Sequence, residues 1–157
     1  MPLACRATAA RPLHFAGHKP DTLDGAWAEF LRHEGIRDPV DLAGIQRTLW
    51  AVEIHERPAG QPDLLLGALT GGLASYPTCQ AEAKRLRAAG EPGLVAPSAA
   101  LRHGGARGWR VQAGLQPGGE RDGKTVVLFV ERPEAAGWRA AVDGRPDAAL
   151  LPRVRHW

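Results

Sequence analysis

The chain is poor in cysteine, lysine and long apolar runs, and each shortage removes a class of protein. Two cysteines in 157 residues, Cys5 and Cys79, cannot build a disulfide framework or a cysteine-ligated zinc site, and they suit a reducing cytoplasm. No apolar run approaches the roughly 18 residues of a membrane span, so neither a transmembrane helix nor a membrane partner is expected. Arg6 and Arg11 precede no continuous apolar stretch, so no secretory leader is expected. Lysine is confined to Lys19, Lys84 and Lys124, leaving arginine to carry a formal net charge of +3. Those arginines are scattered rather than run together, which makes a nucleic-acid partner unlikely.

Metal chemistry is equally thin. His14 and His18 have helical i,i+4 spacing, but Pro12, Gly17 and Pro20 oppose a helix and no glutamate accompanies them. His33, His55, His103 and His156 are isolated, and no metal site is expected. The pairs Gly71-Gly72, Gly104-Gly105 and Gly118-Gly119 lack the residues of a phosphate loop and are read as turns.

What is present fits one α+β domain. Hydrophobic residues make up 44% and charged ones 24%, close to soluble averages. Leu23, Trp27, Phe30 and Leu31 share one face of a helix that Asp24 could cap and Gly35 could end, with Glu29 on the flank. A short helical stretch follows from Val40 to Gln46, then a strand over 48–54 in which Thr48, Trp50, Val52 and Ile54 alternate with their neighbours. Thr78 is expected to cap a helix over Cys79–Ala89 that Gly90 stops. An apolar segment, Gly93 to Ala96, runs into Pro97-Ser98. Residues 102–123 read as a long loop or hairpin, Lys124 to Val130 as a central strand covered on both faces, and Gly137 to Val142 as another strand. Residues 1–20 show no period. The five tryptophans are expected mostly in the core.

Two polar residues have addresses of interest. Glu29 is set among Trp27, Phe30 and Leu31; by itself it reads as a solvated flank paired with His33, one turn on. Ser98 ends an apolar strand but lacks a hydrolase elbow, and by itself reads as a cap or turn residue.

Taken in order along the chain, several segments resemble the RES domain, a family named for an Arg, a Glu and a Ser. They are Gly25-Ala26-Trp27-Ala28-Glu29-Phe30-Leu31-Arg32-His33, Tyr76-Pro77-Thr78-Cys79-Gln80 with its helix, and Gly93-Leu94-Val95-Ala96-Pro97-Ser98-Ala99. Val126-Val127-Leu128-Phe129 and the stretch from Gly137-Trp138-Arg139 to His156 complete the set. The resemblance covers residues 22–157, leaving 1–21 as a divergent N-terminal segment without the Gly-Arg-Trp-like element of the family.

The resemblance implies an ADP-ribosyltransferase-like mixed sheet core with flanking helices. It also implies an enzyme that destroys NAD+ as its substrate, with no prosthetic group, by cleaving the nicotinamide–ribose bond. Such proteins are bacterial, often the toxin of an Xre-RES toxin–antitoxin pair held in check by a cognate antitoxin, or stand-alone relatives. Glu29 and Ser98 match the family glutamate and serine. A carboxylate stabilises the oxocarbenium-like state and a hydroxyl orients the ribose or nicotinamide. Arg11 is the arginine available to contact phosphate. The divergent N-terminus motivates the alternative of a catalytically impaired RES-like domain that binds a protein. The enzymatic reading requires Glu29 and Ser98 to line one pocket able to accept a dinucleotide.

Overall fold

Local chemistry starts the first helix where the Thr22 hydroxyl accepts a hydrogen bond from the Gly25 amide at 2.9 Å. This caps α1, Leu23–His33. Asp24, the expected cap, lies inside the first turn, where its charge complements the positive end of the helix. Gly35 follows with φ of +67°, a left-handed conformation that costs glycine little. A computed structural model describes residues 3–8, 18–54, 60–111, 115–129 and 136–157; for 3–8, 18–20, 107–111 and 115–117 it describes the backbone.

The second helical stretch is shorter than its composition suggests. Asp38 accepts from the Val40 amide and Pro39 opens a 3-10 turn that ends at Leu42. The short helix α2, Leu66–Leu69, and a 3-10 turn, Leu73–Ser75, then lead into α3, Tyr76–Ala88. Helix α3 begins before Thr78, because Pro77 suits a first turn whose amides have no intrahelical acceptor anyway. Gly90, with φ of +85°, provides the expected stop.

Among the described residues the strands are β1 (Leu3–Thr8), β2 (His18–Pro20), β3 (Arg47–Glu53), β4 (Gly93–Pro97), β5 (Ala106–Val111), β6 (Leu115–Arg121), β7 (Lys124–Leu128) and β8 (Gly137–Gly144). They pair antiparallel in the orders β1-β3-β8, β2-β7-β4 and β5-β6. Strand β7 is central, as its apolar run requires, and Thr125, Val126 and Leu128 are all buried. Its expected end at Val130 lies outside the described residues. Residues 102–123 contain the β5–β6 hairpin. Strands β1 and β2 arise from residues without apolar periodicity, held by register against β3 and β7.

The result is one small α+β domain whose main core sits between α1, β3 and the closing segment. Trp27, Ala28 and Leu31 pack with Leu42, Leu49, Leu101, Leu150 and Val154. A 3-10 turn over Ala148–Arg153, capped by Asp147, delivers Leu150 and leads into Val154. The expectation for the tryptophans is corrected in part. Trp27 is buried, but Trp50, Trp138 and Trp157 remain 40%, 42% and 44% exposed. Leu49 and Ala51 take the inward positions of β3, so strand alternation turns Trp50 outward. No helix among the described residues is long and apolar enough to cross a membrane.

Candidate active site

A cavity of about 570 Å³ is bordered by α1, the start of α3 with the segment before it, strands β4 and β7, and Trp157. Its walls are mainly apolar, with Phe30, Leu69, Ala83, Leu94, Val127 and Trp157 among them. Polar side chains enter at a few points, including Glu29, Arg32, Tyr76 and Thr125. A largely apolar concavity with few convergent polar groups is the usual form of a small-molecule site.

Glu29 reaches the wall on a half-buried flank of α1, beside the buried Ala26 and Arg32, which also line the cavity. Arg32, one turn on, is 1% exposed. Its guanidinium donates to the Ala99 carbonyl through Nη1 and to the Gly71 carbonyl through Nη2 at 2.7 Å. The Trp157 ring covers it, with Cζ 3.8 Å from the ring centroid. Burial pushes its pKa below the ordinary arginine value, while the charges of Glu29 and Tyr76 act the other way and Arg155 adds to the lowering. A buried cation of this kind persists only where hydrogen bonds and neighbouring charge compensate its lost hydration. Arg32 therefore joins α1, the Gly71 turn, the end of β4 and the closing segment around one point.

Ser98 lies beside this point, but its hydroxyl does not line the cavity. Leu94, Ala96 and Pro97 line the cavity from β4, and Ala99 lines it beyond the strand. The alternation slips by one at Pro97, and Ser98 falls on the other side. There it is 3% exposed, and its Oγ accepts from the Ala100 and Leu101 amides, each at 3.3 Å. The hydroxyl thus shapes the turn that presents the Ala99 carbonyl to Arg32. Arg11 lies outside the described residues, as do His14 and His55.

The far wall is held by Glu82 on α3. Its carboxylate accepts from Arg85 Nε and Nη2 at 2.8 and 2.7 Å and from the Asp63 amide at 2.8 Å. The hydrogen bonds from Arg85, then that from Asp63, lower its pKa to about 2. The segment preceding α2 is thereby tied to α3, while the Gly60 carbonyl accepts from Val95 on β4 at 3.0 Å.

Sequence reasoning did not single out Arg32, Tyr76, Thr125 or Trp157. A signal existed for Arg32, which follows the fully buried Ala28 at i+4 and so shares its inward stripe. For the others nothing local distinguishes them. Among the described residues no group of three or more His, Cys, Asp and Glu could hold a metal ion. Compared with known proteins, the chain matches no family model, no curated protein and no solved structure.

Proposed function

We propose that this domain is a RES-type, ADP-ribosyltransferase-like enzyme that cleaves the nicotinamide–ribose bond of NAD+, acting as the toxin of a toxin–antitoxin pair or as a stand-alone relative. The observation that carries this reading is Glu29 on the wall of a 570 Å³ cavity, one helical turn from the buried, anchored Arg32. The Glu29 carboxylate stabilises positive charge as it develops at the ribose C1′. The C1′–nitrogen bond breaks and its electron pair leaves with neutral nicotinamide. With water as acceptor, oxygen adds to C1′ and one proton is released, giving ADP-ribose. The requirement that Ser98 line the same pocket is not met, since its hydroxyl faces its own turn; in this reading Ser98 is a positioning residue, through the turn whose carbonyl fixes Arg32.

Nicotinamide release from NAD+ by purified protein tests the proposal. Glu29→Gln keeps the shape of the side chain and is expected to reduce release at least about a hundredfold without unfolding the domain. A folded wild type, free of any inhibitor, that leaves NAD+ intact after long incubation overturns it.

A second reading has its own support. Leu65, Leu66 and Leu73, in the segments that precede α3, are 85%, 61% and 63% exposed, and large exposed leucines suit a protein partner. A catalytically impaired RES-like module would bind such a partner and give no heat with NAD+.

A further inference from the structure

Trp157 and Tyr76 form an aromatic corner at the cavity. Their ring centroids are 6.0 Å apart and their planes meet at 80°, both rings line the cavity, and both remain about two-fifths exposed at 44% and 40%. Large aromatics left this open have given up much of the stabilisation that burial provides. Neither ring is loose, however. Arg32 lies against Trp157, and His33 meets it nearly edge-on at 6.1 Å and 70°. The indole is therefore held in place while lining the cavity and remaining 44% exposed, an arrangement suited to stacking a planar ring. Because the two rings are almost perpendicular, a planar group stacked on one presents its edge to the other.

Charge selects between the planar groups of a dinucleotide. Arg32 places a full positive charge 3.8 Å from the indole centroid, and Arg155 is near enough to act on the Arg32 charge. A cationic pyridinium brought to this corner would compete with Arg32 for the indole's electrons and be repelled by both guanidiniums. A neutral purine would not. Glu29 acts on the same guanidinium with the opposite sign, so its carboxylate attracts a pyridinium while the indole covered by Arg32 favours the neutral purine.

We infer that the Trp157–Tyr76 corner is the purine-stacking subsite of the cavity, with Trp157 a positioning residue for the adenine end of the substrate. The inference rests on the dinucleotide reading above. It is tested by calorimetric titration with ADP-ribose, which carries the purine and lacks the pyridinium, and with nicotinamide mononucleotide, which has the reverse. Trp157→Leu retains an apolar cover over Arg32 but removes the π-face; Trp157→Phe restores it. Base–aromatic stacking of ordinary strength predicts about tenfold weaker ADP-ribose binding by Trp157→Leu, with Trp157→Phe close to wild type. Nicotinamide mononucleotide affinity should be unchanged in both. In turnover, KM for NAD+ should rise in Trp157→Leu at constant kcat.

A measurement on the wild type avoids dependence on the variants' folding. Nuclear Overhauser contacts should connect the Trp157 indole protons to adenine H2 and H8 of bound ADP-ribose. Equal ADP-ribose affinity in wild type and Trp157→Leu, or the absence of those contacts, overturns the subsite. If the wild type still releases nicotinamide in that case, the glycosidic reading stands and only the subsite falls. A wild type that neither releases nicotinamide nor binds ADP-ribose overturns both.

Discussion

Arg32 and Ala99, 67 residues apart in the chain, are joined by a hydrogen bond from a buried guanidinium to a backbone carbonyl. The same guanidinium holds Gly71 and lies against Trp157, so one side chain from α1 closes three other segments around the cavity. Replacing it leaves the part-buried Gly71 and Ala99 carbonyls without this donor. Arg32→Met is expected to destabilise the domain by about 2–5 kcal/mol, since each buried group left unsatisfied costs roughly 1–3 kcal/mol. Arg32→Lys, with one ammonium in place of a planar fork, should recover only part of the loss. Urea denaturation of the two variants against wild type measures it, and an Arg32→Met domain as stable as wild type contradicts the role.

Glu82 predicts a pH dependence. Its carboxylate is held at about 2 by hydrogen bonds from Arg85 and the Asp63 amide, below the ordinary value of 4.5. A carboxylate lowered on folding contributes stability that is fully present above its unfolded pKa and is lost as pH falls through the folded one. The melting-temperature advantage of wild type over Glu82→Gln should therefore be constant near neutrality and shrink between about pH 4.5 and 2. A difference independent of pH in that window would show that the carboxylate is not selectively held.

Ser98 separates two roles by opposite signatures. If its hydroxyl works through the turn, Ser98→Ala loses about 1 kcal/mol of stability and leaves KM for NAD+ unchanged. A raised KM with unaltered stability would instead indicate direct contact with the ligand.

Thr125 carries a prediction of the opposite sign. Its hydroxyl oxygen is buried on the central strand without a hydrogen-bond partner. Thr125→Val exchanges that hydroxyl for a methyl of similar size next to Val126. It should raise stability by up to about 1 kcal/mol, because a buried polar group with no partner costs free energy. Thermal melts in parallel with wild type decide the point, and a clear loss of stability runs against it.

What could be read along the chain was whatever neighbouring residues determine among themselves. Trp27 and Leu31 repeat at helical spacing, Gly35 and Gly90 supply left-handed stops, and the nearly continuous apolar run within Lys124 to Val130 reads as a central strand. Helix starts were less legible. Thr22 outcompetes Asp24 for the cap, and Pro77 moves the start of α3 ahead of Thr78. Strand β1 could not be read from Leu3–Thr8, because its order comes from six register pairs with β3, forty to fifty residues away.

Within the candidate site the division is sharper. Sequence by itself placed Glu29 on the flank of an amphipathic helix and Ser98 at the end of an apolar strand, since both follow from local periodicity. Only the tertiary structure decided which of them faces the cavity: the alternation slips by one residue at Pro97 and turns the Ser98 hydroxyl into its own backbone. It alone also made Arg32, a cation on the last turn of its helix, a buried anchor. Arg32's partners, at Gly71, Ala99 and Trp157, come from segments that no local pattern relates, and a buried charge is tolerable only once all of them have been brought together.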